Sequence, residues 1–156
     1  MAFVDWLSAW PGAAWLQGSA TAYIFVNAAH ILAVGLILGA VLPLDLRLAG
    51  GLRSVPLTVA GPLLSRIGAT GVALALLTGL WLFTVNAATY LDNAAFLYKL
   101  GLLGLALANV AWQHLSPALR RAYAGQAVSP GVKLRALLSV FLWLAVLVAG
   151  RWIGFL

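Results

Sequence analysis

Cysteine and glutamate are both missing from this 156-residue chain, which has one methionine and only three acids, Asp5, Asp45 and Asp92. Without cysteine there is no disulfide and no thiolate-ligated zinc or iron–sulfur centre. With so few carboxylates, no Ser/His/Asp arrangement can be assembled, and no phosphate loop, Cys-based haem attachment motif or HExxH helix is present. Charge of either sign is scarce. Only 8% of the residues are charged, whereas a soluble domain carries roughly 25%, so a water-facing surface cannot be covered.

What the chain has in abundance is apolar length. Hydrophobic residues make up 64% of it and the mean hydropathy is +1.05. About 20 apolar residues cross a bilayer core, so a chain of this length holds four helical spans joined by short loops. The alternation of polar and apolar residues expected of a transmembrane barrel is absent. The expected fold is therefore an all-α, four-transmembrane-helix bundle forming one domain over residues 1–156.

Breaker residues and charges place the spans at about 21–43, 64–86, 94–115 and 134–153. One breaker-rich loop holds Gly50-Gly51, Pro56 and Gly61-Pro62, and the other holds Pro117, Gly125 and Pro130-Gly131. Residues 1–16 lack the basic start of a cleaved leader. Phe3, Trp6, Leu7 and Trp10 recur there at helical spacing, which predicts a short helix lying in the membrane interface. Trp15 and Tyr23 continue this aromatic belt, and Trp81 and Phe83 belong to it from the second span.

The net charge of +6 is concentrated on one side of these spans. Arg47, Arg53 and Arg66 flank the first connection, and Arg120, Arg121, Lys133 and Arg135 flank the third. The opposite side has only Lys99 and Arg151, both within helix ends. The positive-inside rule then predicts a bacterial inner-membrane protein with both termini outside the cytoplasm. This distribution accounts for the excess of base without nucleic acid as a partner. The lipid bilayer is the partner the composition implies.

Ionisable groups within spans cost free energy and are functional candidates for that reason. His30 lies in the first half of the first span, and Asn27 shares its helical stripe with Tyr23 and Val34. An imidazole is a standard axial ligand of haem iron; the alternative is a neutral histidine bonded across the bundle. His114, beside Trp112 and Gln113, sits near the basic end of the third span, where a wet helix end is the alternative. At 1.5 Å per residue the two histidines differ in depth by about 10–20 Å, so one iron held by both is not the favoured arrangement. Lys99 matches the depth of His30, and with Arg151 it could meet haem propionates; the alternative is a lysine that snorkels to headgroups. In Leu44-Asp45-Leu46-Arg47-Leu48, Asp45 and Arg47 are spaced poorly for pairing with each other. Each is expected to reach elsewhere, for example Arg66 or the third connection, or to act as an interfacial anchor. Gly35 and Gly39 form a GxxxG, and Gly101 and Gly104 interrupt the third span, positions that allow close helix packing. Trp143 lies deep in the fourth span and is expected to pack inside the bundle.

The residues from His30 through Gly39 to Asp45-Leu46-Arg47-Leu48 resemble a family of small bacterial membrane proteins with an H…G…DLRLxG signature. Thr78-Gly79-Leu80-Trp81-Leu82-Phe83, Asn93 to Leu100 and Asn109 fit the same pattern, so the resemblance covers about residues 20–115. It implies the four-helix fold and no particular activity. More distantly, His30, Gly79-Leu80-Trp81 and Lys99-Leu100 are similar to positions in bacterial membrane-bound protoporphyrinogen oxidases that carry b-type haem. That resemblance implies that His30 ligates iron and that Lys99 handles an anionic substrate or a propionate. The chain departs from that family in having Pro43-Leu44-Asp45 where Tyr and Arg follow the glycine of the first helix.

The function expected from this reading is binding of haem b for electron transfer or a redox role near the outer side. His30 and His114 are the metal-ligand candidates, and Lys99, Arg151 and Asn27 the cofactor-binding ones. A haem-dependent oxidoreductase, a quinone or redox-protein partner and a homo-oligomer are compatible with it. Two rivals stand beside it: a haem-free helical subunit that binds a partner through its GxxxG face, and a site for copper or a similar ion, which a single methionine and no cysteine weaken.

Overall fold

Prolines and glycines set the helix boundaries, though in several places not where sequence punctuation suggests. In the computed structural model residues 2–155 are described, with side chains from Val4, and no strand occurs among them. Two short helices, α1 (Ala2–Ala9) and α2 (Pro11–Gly18), precede the long α3 (Ala20–Ala49). There follow α4 (Leu57–Val85), α5 (Ala87–Asp92), α6 (Ala94–Leu115), α7 (Pro117–Tyr123) and α8 (Pro130–Trp152), with a closing 3-10 turn at Ile153–Phe155. Pro11, Pro117 and Pro130 each open a helix, where a missing N–H leaves no bond unmade. The side chains of Ser19, Asn93, Ser116 and Ser129 cap the next helix by accepting a backbone N–H from its first turn. α3 ends at Gly50, whose φ of 114° is the left-handed conformation that closes a helix C-terminus.

Four helices are long and apolar enough to cross a membrane: α3, α4, α6 and α8 with its closing turn. Only 17–28% of the most apolar window of each is buried within the bundle, so most of the apolar surface faces outward and requires lipid. The chain is a multi-pass membrane protein. Of the expected spans, the third is reproduced and the others are extended. α3 continues through Pro43 to Ala49, and α4 starts at Leu57, so Gly61 and Pro62 lie inside a helix and not in the loop. A proline costs a helix one hydrogen bond, but a span tolerates it because neighbouring groups can satisfy the freed carbonyl. The N-terminal interfacial segment is two helices with a break at Trp10-Pro11. Phe3, part of the expected aromatic stripe, lies outside the described side chains.

The four spans alternate in direction. One end of the bundle carries both termini, α1, α2 and α5 (the termini end); the other carries the arginine-rich connections (the basic end). α3 packs along α4 and α8, and α6 packs along α8. The tightest approach is between α3 and α4. A Cβ added to Gly71 would stand 2.9 Å from the Ile37 nitrogen and 3.1 Å from the Ala33 carbonyl, so only glycine lets these backbones come this close. The GxxxG on α3 has a different position: nothing lies within 4 Å of a Cβ at Gly35 or Gly39, nor at Gly101 or Gly104 on α6. Close packing inside the bundle thus uses the glycines of α4 and not the motif read from the sequence. Ile37, Ala106, Leu142 and Trp143 fill the middle of the bundle, and Leu44, Leu48, Leu57, Leu119, Val132 and Ala136 fill its basic half.

Indole donors tie the N-terminal helices to the end of α4. Trp10 Nε1 donates to Thr84 Oγ1 at 3.1 Å, Trp81 Nε1 donates to the Gly12 carbonyl at 3.0 Å, and Trp15 stacks on Trp81 at 5.8 Å. Trp81 is therefore a specific fastening as well as a belt residue. Phe83, Tyr90 and Phe96 close the same end between α4, α5 and α6, with Phe83 and Phe96 stacked at 5.5 Å.

Candidate functional site

Polar side chains inside the bundle fall into two groups, one in its termini half and one in its basic half. The first is built on His30. Its ring leaves α3 and is received by one turn of α4. Thr78, which is buried, donates its hydroxyl proton to the Leu74 carbonyl at 2.7 Å. Its oxygen is then an acceptor, and His30 Nδ1–H donates to it at 2.9 Å. The neutral ring is held as the Nδ1–H tautomer, which leaves the lone pair on Nε2. Gly79 supplies the space for the ring, since a Cβ there would stand 3.0 Å from His30 Cε1. The Ala75 carbonyl is a second hydrogen-bond acceptor for the imidazole.

Lys99 is within electrostatic range of His30. Its stem lies along Gly150 of α8, where a Cβ would stand 3.4 Å from Lys99 Cε. Asn27 is half-buried on the same stripe of α3 as His30, and its amide makes no hydrogen bond among the described residues. The structure does not bring Arg151 to this group: its guanidinium is exposed and lies 4.7 Å over the Phe155 ring.

His114 belongs to the other half. It is exposed, with Nδ1–H donating to the Val110 carbonyl at 3.0 Å and Nε2 at 3.3 Å from Ser65 Oγ. Since His30 binds at Thr78 and His114 at Ser65 of the same helix, an offset of 13 positions separates the histidines by about 20 Å along α4. One iron cannot be held by both.

Sequence reasoning named most of the polar residues of this half but not the partners they take. Asn109 Nδ2 donates to the Arg135 carbonyl and Gln113 Nε2 to the Val132 carbonyl, each at 3.0 Å, fastening α6 to α8. The Arg135 guanidinium donates to Gln113 Oε1 at 2.7 Å and Ser116 Oγ at 3.1 Å and lies 5.0 Å over the Trp112 ring. Asp45 is buried, 5% exposed, with Ser139 of α8 as its hydrogen-bond partner. It does not reach Arg66, as the sequence had suggested, and Arg47 instead donates to the Val55 carbonyl at 2.6 Å. Among the described residues three buried side-chain polar atoms have no hydrogen-bond partner: Asp45 Oδ2, Asn109 Oδ1 and Trp143 Nε1.

At His30 two features fit a haem-type group: a ring N–H bonded to Thr78, which fixes the tautomer, and a cation, Lys99, within electrostatic range for a carboxylate. A bare metal ion fits less well, because no group of three His, Cys, Asp or Glu side chains occurs among the described residues. The two best-defined recesses lie elsewhere. One of about 450 Å³ is lined by Trp6, Leu7, Trp10, Pro11 and Thr84; one of about 370 Å³ lies beside Arg47, Thr58 and Gln126. Comparison with protein-family models, with curated proteins and with solved structures gives no match to this chain.

Proposed function

We propose that this chain is a b-type haem protein of the bacterial inner membrane, in which His30 would hold the haem iron, with the site in the half of the bundle facing away from the cytoplasm. The observation that carries the reading is the relay from His30 Nδ1–H through Thr78 to the Leu74 carbonyl. A histidine that ligates metal characteristically donates its other ring N–H to a fixed acceptor, which orients the ring and raises its basicity. Haem, when bound, would supply one-electron redox chemistry. The protein's own part is to hold the ring through Thr78, to leave room for it at Gly79, and to present the Lys99 ammonium to an acidic group. The arginine-rich connections support a cytoplasmic location for the opposite end through the positive-inside rule. A quinone or a redox protein would then exchange electrons from the termini end or from the membrane.

A second reading has its own observation. The faces of α3 and α6 that carry Gly35, Gly39, Gly101 and Gly104 are open, as they would be in a helical subunit that packs against a partner. In that case His30 is an interhelical tether and carries no cofactor. Absorption spectra of protein purified from haem-supplied cells separate the two. The haem reading expects a Soret band and a reduced α band in the wild type, both lost in His30→Ala. A colourless wild type overturns it and leaves the subunit reading.

A further inference from the structure

The basic half of the bundle holds a carboxyl group with a hydrogen-bonded route leading from its neighbourhood to water. We propose that Asp45 is a proton-binding site inside the bundle, loaded and emptied from the basic end along Tyr123, Ser65 and His114. Asp45 is 95% buried by its 5% exposure, and Oδ2 has no partner. Every element around it withholds a counter-charge. From α8 it receives only the Ser139 hydroxyl, while Arg135 of the same helix is taken up by Gln113, Ser116 and the Trp112 ring. On its own helix Arg47 is bonded to the Val55 carbonyl. From α7 the titratable neighbour is Tyr123, which lies within electrostatic range of the carboxyl; Arg120 and Arg121 of that helix are exposed. On α4, Arg66 is exposed, and on α6 the only titratable group at this end is His114. Burial without a cation disfavours an ionised carboxylate and so favours proton binding at this group.

The route beyond Tyr123 is continuous. Tyr123 Oη and Ser65 Oγ are 2.9 Å apart, and Ser65 Oγ is 3.3 Å from His114 Nε2. Because His114 Nδ1–H is committed to the Val110 carbonyl, Nε2 is an acceptor, and the hydroxyl protons of Ser65 and Tyr123 align towards it. A proton leaving Asp45 passes to Tyr123 Oη as the Tyr123 proton passes to Ser65 and the Ser65 proton to His114 Nε2. The carboxyl becomes a carboxylate, the exposed imidazole becomes an imidazolium and then yields one proton to water. Nothing is oxidised or reduced. Asp45 to Tyr123 is the link that the structure shows as proximity without a hydrogen bond, so it is the step that a small helix movement or a water would complete. The site is independent of whether His30 holds haem.

The chain's poverty in acids makes this testable, because Asp5, Asp45 and Asp92 are its only carboxyl side chains. Infrared spectra of the full chain in lipid nanodiscs are expected to show the C=O stretch of a protonated carboxylic acid at neutral pH, shifted in deuterated buffer and absent from Asp45→Asn. After a rapid move into deuterated buffer, Tyr123→Phe is expected to keep the band but exchange it about tenfold more slowly or worse, and Ser65→Ala likewise. A neutral-pH spectrum without that band, or a band that survives in Asp45→Asn, overturns the site. Exchange in Tyr123→Phe as fast as in the wild type overturns the route. Should Asp45→Asn fail to fold, Asp5→Asn and Asp92→Asn assign the band by elimination: persistence in both keeps the site, and loss in either overturns it.

Discussion

Thr78 decides what His30 can do. Its own proton goes to Leu74, so the imidazole must donate from Nδ1, and the lone pair on Nε2 follows from that. Thr78→Val leaves a half-buried N–H without its acceptor. It is expected to lower stability by about 1–3 kcal/mol and, if haem is bound, to weaken its retention by about 10–100-fold; thermal melts and haem titration of the purified variant measure the two effects. Loss of neither would show that the relay is unimportant. The phenols give a pH dependence outside the spans. Burial pushes the Tyr90 and Tyr123 hydroxyls above the ordinary phenol value, with further upward pushes from Tyr23 on the first and Asp45 on the second. A raised folded-state pKa means that the unfolded chain releases its proton first. The stabilisation is therefore complete below the ordinary value of 10.0 and is lost as pH rises above it. Melting temperature is expected to fall in that range for the wild type and to fall less steeply in Tyr90→Phe. His30 was visible as a candidate from sequence because charge and polarity are so rare around it. Its receptor was not, since Thr78-Gly79 could be quoted only as part of a likeness, and which side chain faces it depends on the rotation of α4 about its axis.

At the level of helices, glycine contacts distinguish the interfaces inside the bundle from the surfaces left open. Gly71→Ala forces a methyl group onto backbone atoms of Ile37 and Ala33 that cannot step aside. It is expected to cost about 1–3 kcal/mol, the usual penalty of overpacking. Gly104→Ala and Gly35→Ala meet open space and should change the stability of the isolated chain by no more than about 1 kcal/mol, since only helix propensity changes. Unfolding in mixed detergent micelles compares them. Equal losses at Gly71 and Gly35 would contradict the assignment of the α3–α4 contact. If the Gly35 face is a partner's seat, Gly35→Ala instead breaks up the complex while the isolated chain keeps its stability. The sequence located all four spans because hydropathy and charge are one-dimensional signals. It misplaced three ends because proline and glycine were read as breakers, whereas inside a membrane Pro43 and Pro62 are carried within the helices. The GxxxG spacing was legible, but not which partner, if any, it faces.

The molecule as a whole divides its chemistry between two ends: a tautomer-fixed imidazole with a lysine towards the termini, and a buried acid with its polar neighbours towards the arginine-rich loops. Orientation in the membrane gives these ends their meaning. The absence of cysteine makes the test simple: Thr89→Cys in α5 and Ser54→Cys in the first connection introduce single exposed thiols at opposite ends. A membrane-impermeant thiol reagent applied to intact cells is expected to label the first and not the second, and the reverse pattern would contradict the placement of both termini outside the cytoplasm. The basic connections were enough to suggest that placement. The pairing of Asp45 with Ser139 was not legible, because serine carries no charge pattern and their meeting depends on how α3 and α8 turn towards one another. The central proposal, that His30 and not His114 would hold haem iron, rests on the relay through Thr78 that fixes the His30 ring. Haem bound per chain, measured side by side in the wild type, His30→Ala and His114→Ala, tests it most directly. The account predicts haem in the wild type, none in His30→Ala and an undiminished ratio in His114→Ala; full occupancy in His30→Ala would contradict it.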